Sequence, residues 1–148
     1  MKKSIYLLLI FTAIIFTGCQ PKKELTTADF SNVTTGMSTS EVTDLLGKPD
    51  EIEKNLDSER VAKQLDPFKQ FVEPMKEEIE GGDELVEQLT DTLDKIKDKV
   101  AITYYVYNYD SSTSDDDIAV TMVFCDDELT LKLIEENFNN MDELELGD

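Results

Sequence analysis

Histidine and tryptophan are absent from this 148-residue sequence, and it holds only two cysteines and six glycines. Without histidine the chain lacks the usual general base near neutral pH and the commonest metal ligand. No glycine-rich phosphate loop, Cys-x-x-Cys pair or nucleophile elbow occurs along it. Carboxylates are plentiful, but none sits in an apolar stretch of the kind that raises a catalytic carboxyl's pKa. These absences point away from an enzyme and give no cofactor and no metal site. Basic residues are also scarce, 14 against 33 acidic, for a net charge of −19. Nucleic acid selects basic surfaces, so it is excluded as a partner.

Two of the few lysines, Lys2 and Lys3, precede an almost unbroken apolar run from Ile5 to Phe16. That run is shorter than the roughly 20 residues a membrane-spanning helix needs. A basic start, a short apolar core and small residues after it make a secretory signal. The run ends in Thr17-Gly18-Cys19, which resembles a lipobox, where the signal is cut before the cysteine and the thiol is acylated. The sequence therefore reads as a signal peptide over 1–18 and a lipidated tether over 19–28, with palmitate-type chains on Cys19. The protein is expected on the extracytoplasmic face of the cell membrane, bound through its N-terminal lipid. At about 3.3 Å per extended residue the tether reaches roughly 30 Å. Removing residues 1–18 leaves 12 basic against 33 acidic residues, a net charge of −21. With Cys19 acylated, Cys125 has no disulfide partner, and Asp126 and Asp127 beside it disfavour a reactive thiolate.

Residues 29–138 are enough for a single α+β domain, followed by a tail over 139–148 with few anchors. Ser38-Thr39-Ser40-Glu41 fits a capping box, and Val42, Leu45 and Leu46 make an apolar stripe. Gly47 and Pro49 then stop the helix, which is predicted over 39–46. Lys48 to Asn55 reads as a first strand. Residues 57–99 read as a helical insertion. Val61, Leu65, Phe68, Val72, Met75 and Ile79 recur at three or four residues, and Pro67 after Asp66 suggests a helix start. Pro74 splits the segment, and Gly81-Gly82 breaks it before a helix beginning at Asp83 with stripe Leu85, Leu89, Leu93, Ile96 and Val100. The period then changes to two, which predicts strands over 101–109, 118–125 and 129–134, with a helix over Glu128 to Phe138 as the alternative for the last. The expected architecture is an N-terminal helix and an inserted helical hairpin packed on a three- to four-stranded antiparallel meander. The helices are expected to cover one face, in two layers.

The stretch Val33-Thr34-Thr35-Gly36-Met37-Ser38-Thr39-Ser40-Glu41-Val42, followed by Leu45-Leu46-Gly47-Lys48-Pro49, resembles the SmpA/OmlA family of small bacterial lipoproteins. The outer-membrane assembly lipoprotein BamE belongs to that family. The resemblance covers 33–49 and implies the β-lactamase-inhibitor-protein-like fold, with helices first and an antiparallel sheet after. The acidic segment 57–99 departs from the family pattern, and no partner-binding position of the family carries over.

The residues most suggestive of binding are Thr103, Tyr105, Tyr107 and Tyr109 on one face of a strand, with Thr121 beside them. If the helices cover the Ile102/Val106/Val120 face, this tyrosine face is open to another envelope protein, since tyrosine is enriched at interfaces. Tyrosine also favours strands for its packing alone. An alternative reading is a small-ligand or calcium module using Asp110 with Asp115-Asp116-Asp117, or Asp126-Asp127-Glu128. The glycine-containing calcium-loop spacing is absent, and solvated hairpin turns explain these acids.

Overall fold

The computed structural model describes residues 24–110 and 117–135. The expected signal peptide over 1–18, Cys19, Asp115, Asp116 and the 139–148 tail lie outside the described residues. Helix α1 (Thr27–Ser31) opens the chain, and Thr26 caps it by donating its amide to Asp29 Oδ2 at 2.9 Å. Helix α2 (Thr39–Leu46) begins at the predicted box. The Glu41 amide donates to Ser38 Oγ at 3.2 Å, and the Ser38 amide donates to the Glu41 carboxylate at 2.8 Å. The Ser38 amide and the Ser38 hydroxyl, the latter at 2.9 Å, both donate to the Glu41 carboxylate and hold it below its usual pKa. Gly47 then turns the chain at φ +81°, where a side chain would be strained.

Strand β1 (Glu51–Lys54) is shorter than predicted and leads into helix α3 (Ser58–Val72). The cap of α3 is Asp57, whose side chain accepts the Arg60 amide at 2.8 Å. The expected start at Asp66-Pro67 is corrected: Pro67 lies inside α3. Pro67 and Lys63 are both exposed, so the Lys63 carbonyl that loses its amide partner faces water. Pro74 does end the helix, in a 3-10 turn over Glu73–Met75. Helix α4 (Gly82–Lys97) follows. Gly82 admits no side chain, because a Cβ there would lie 2.1 Å from the Lys76 carbonyl oxygen.

Strands β2 (Ile102–Asp110), β3 (Asp117–Cys125) and β4 (Glu128–Ile134) complete an antiparallel sheet in the order β1-β2-β3-β4. A shift between Val123 and Phe124 leaves Thr130 as an extra residue in β4. Its buried hydroxyl donates to the Val123 carbonyl at 3.2 Å, which satisfies a group the bulge would otherwise strand.

Register decides the faces. Tyr105, Tyr107 and Tyr109 lie opposite Met122, Val120 and Ile118. Val120 therefore shares the tyrosine face, not the Ile102/Val106 face. Both faces are covered, so the two-layer expectation becomes a three-layer arrangement. On one side Leu25, Phe30, Val33, Val42 and Leu46 pack with Tyr105, Tyr107, Tyr109, Met122 and Phe124. On the other, Val61, Leu65, Val72, Leu89 and Ile96 pack with Ile102, Val123, Cys125 and Leu131. Among the described residues packing begins at Leu25, which is 7% exposed, four residues before the expected domain boundary.

The β3–β4 turn fastens the domain. Asp126 and Asp127 both have positive φ, +50° and +66°, as a primed hairpin turn requires. Asp126 Oδ1 accepts the Ala101 amide at 2.9 Å, and Asp127 Oδ1 accepts the Thr39 amide at 3.2 Å. The second bond places an anion on the first turn of α2. Replacing Asp127 by alanine removes this contact and leaves a Cβ residue with no polar help at positive φ. The expected loss is about 2 kcal/mol in urea unfolding, while Asp127→Asn is expected to lose less than half as much.

Candidate interaction surface

Residues 24–35 run across the tyrosine side of the sheet before the chain turns into α2. Phe30 is wholly buried, with its ring 5.1 Å from Tyr109 and 6.0 Å from Tyr107, the latter edge-on. Thr27 Oγ1 and the Tyr109 hydroxyl lie 3.3 Å apart. Lys132, reaching from β4, donates its ammonium to the carbonyls of Phe30 at 3.0 Å and Val33 at 2.8 Å. The Phe30 carbonyl also accepts the Val33 amide at 3.1 Å, so the ammonium adds a second donor just past the C-terminal end of α1, where a cation is favoured. Burial holds the Lys132 pKa below its ordinary value, with Glu84 partly opposing the shift. Nothing in the local sequence marks Lys132; its partners are about a hundred residues away.

The open tyrosine face is therefore corrected. Tyr105, Tyr107 and Tyr109 are 7%, 0% and 4% exposed. The reason is that residues 24–35 supply a cover which the helical hairpin does not. The Tyr107 hydroxyl donates to the Gly47 carbonyl at 3.0 Å, and burial pushes its pKa up to about 12. Thr103 is half-buried on the same face, near Thr39, Lys54 and Asp127. Thr121 pairs with Val106 and Leu133, so it lies on the opposite face. The five residues expected to bind together are thus split between two faces, and the tyrosines are core.

The other named groups fall as follows. Cys125 is buried and reduced, and burial pushes its thiol pKa up, against a reactive thiolate. Asp126 and Asp127 bond to backbone, and Glu128 pairs with Lys95 at 2.8 Å. Among the described residues no group of three or more acids and cysteines is placed to hold a metal ion. An acidic notch between α4 and β4 carries Glu84, Glu87, Asp91 and Glu128 around Gln88 and Lys95. Gln88 Oε1 accepts the Lys132 amide at 3.0 Å, so this side of the notch is tied into the sheet.

A groove runs between α3 and α4. Its floor is Leu56, Ala62, Leu93 and Ile96. Its rims carry Lys63 paired with Glu59 at 2.7 Å and Lys97 paired with Asp94 at 2.6 Å. Both pairs are exposed and contribute little to stability, so they are free to exchange partners. The groove sits where Leu56 donates its amide to the Ile102 carbonyl at 3.1 Å. Tyr109, touched by Thr27, is at the far end of β2. About 3.4 Å per residue separates the two ends by roughly 24 Å.

The fold and this surface define a class: a small α+β domain whose antiparallel meander is closed on both faces and which carries a groove between two of its helices. No family model, no curated protein and no solved structure matches the chain.

Proposed function

We propose that this chain is a lipid-anchored, non-enzymatic interaction module of the bacterial cell envelope. Cys19 holds it at the extracytoplasmic face of the cell membrane. The α3–α4 groove receives an amphipathic helix of another envelope protein. The observation that carries the reading is the spacing at the N-terminus. A lipobox-like Thr17-Gly18-Cys19 stands only six residues before Leu25, the first buried side chain among the described residues. Six residues span at most about 20 Å, so a lipid on Cys19 ties the domain close to the bilayer by its Tyr109 end. The groove is then at the end facing away. An apolar floor between charged rims suits an amphipathic helix. The SmpA/OmlA-like motif supports a lipoprotein and carries no particular partner.

The test has two arms. Wild-type cells labelled with palmitate are expected to yield a membrane-bound chain that begins at Cys19 and carries the label, while Cys19→Ala carries none. An unlabelled chain with its mature terminus beyond residue 19 would overturn the anchor. A photoreactive residue at position 93, on the groove floor, is expected to give a discrete adduct in cells that the same residue at position 64 does not. Equal adducts from both positions would reject the groove and leave the anchor standing.

A further inference from the structure

Residues 25–35 have two attachments of very different kinds. At Gly36 the chain joins the sheet through its backbone. The Gly36 amide donates to the Leu129 carbonyl at 2.8 Å, and the Leu129 amide donates to the Met37 carbonyl at 2.8 Å. Before Gly36, among the described residues, no backbone–backbone hydrogen bond reaches a strand. The backbone bonds there are local: Asp29 to Thr26, Asn32 to Asp29 and Val33 to Phe30. Helix α1 has five residues, too few to be stable by itself. What seats the segment is side-chain packing of Leu25, Phe30 and Val33, helped by the Lys132 ammonium and by Thr27 on Tyr109. Three buried apolar side chains are set against the conformational entropy of about ten ordered residues. That balance is the mark of a segment that opens locally, well below the cost of global unfolding.

The core on the other face of the sheet is built without this cover. The core beneath α3 and α4 contains no residue before Leu56. Helix α2 is held separately, by Asp127 at its first turn and by the Tyr107 hydroxyl at Gly47. Gly36 supplies a pivot between the two parts, with φ +91° and open space where a side chain would be.

We propose that residues 25–35 are a releasable strap, swinging about Gly36, that closes the aromatic face of the sheet and sets how far the domain stands from its N-terminal anchor. Closed, six residues separate Cys19 from Leu25, at most about 20 Å. Open, seventeen residues separate Cys19 from Gly36, at most about 56 Å at the same rise. Release therefore nearly triples the reach and uncovers Tyr105, Tyr107 and Tyr109. The opening rests on the packing alone. Its effect on reach rests on the proposed anchor at Cys19.

Hydrogen exchange on the mature chain from residue 19, in detergent, tests the strap. Lys132→Met removes the ammonium from the two carbonyls and keeps the side chain apolar. It is expected to speed amide exchange in the strap about tenfold, with α4, β2 and β3 unchanged. Phe30→Ala is the stronger variant; it is expected to abolish strap protection while α4 stays protected. A parallel rise in α4, β2 and β3, or failure of Phe30→Ala to fold, would make the strap part of the global core and overturn the proposal. An unchanged strap in both variants would overturn it as well. A chain without lipid on Cys19 would leave the exchange pattern intact and remove only the consequence for reach.

Discussion

Replacing Phe124 by alanine is expected to destabilise the domain by about 3–5 kcal/mol. Phe124 is wholly buried on β3, 4.9 Å from the Tyr105 ring, in the core shared with Met122, Leu129 and Val42. Truncation removes the transfer free energy of the ring and leaves a cavity that strands paired on both sides of β3 cannot collapse. A domain of this size has roughly 5–15 kcal/mol in total, so the loss is a large fraction of it. Urea unfolding is expected to show a lower midpoint at an unchanged slope. Phe71→Ala is the control: Phe71 is 52% exposed on α3, and its loss is expected to stay within about 0.5 kcal/mol. Equal effects from the two would mean that the tyrosine side of the sheet is not a packed core.

Stability is expected to fall steeply between pH 10 and pH 12. Tyr104 and Tyr107 have phenol pKa values pushed up to about 12, chiefly by burial, from an ordinary value of 10.0. A raised pKa means that the folded state holds these protons after the unfolded chain has released them. Their contribution is thus complete below pH 10 and lost as pH rises through the folded values. For the fully buried Tyr107, a shift of this size corresponds to about 2–3 kcal/mol. Lys132 acts in the other direction. Its lowered pKa means that the unfolded chain binds the proton more readily, so its share of stability grows as pH rises toward 10.5. The tyrosines, two groups with large shifts, are expected to dominate. Tyr107→Phe tests the assignment. It gives up the bond to Gly47, at about 1 kcal/mol near neutral pH, and is expected to flatten the alkaline decline. A Tyr107→Phe curve parallel to wild type at all pH values would place the decline on other groups.

The burial of the tyrosines also shows where reading the sequence stops. Residues 39–46 are legible because each signal acts over a turn or so: the Ser38 hydroxyl, the Glu41 carboxylate and the Gly47 stop lie within ten residues. The strands are legible because a pleat alternates its own side chains, whatever lies next to it. The start of α3 is less legible. Asp66-Pro67 is a valid start signal, but it is outweighed by the Val61-Leu65 stripe, which needs those turns helical to cover Ile102 and Leu131.

The faces of the sheet are a different matter. Pairing Val120 with Tyr107 rather than with Val106 depends on a register set across the β2–β3 connection, and a shift of one residue exchanges the faces. No property of either strand alone records it. Lys132 and Asp127 are ordinary surface residues in their own neighbourhoods and become structural by meeting Phe30, Val33 and Thr39.

The sequence by itself determined the short-range order: the capped helix, the charged hairpin and the alternating strands. Each of these is decided by residues within a few positions of one another. The tertiary structure decided which side of the sheet is covered and by what. It buried three tyrosines under an arm some eighty residues earlier and left a groove between the helices. Such contacts are fixed by the packing of distant segments and by strand register, and neither is written in any single stretch of chain.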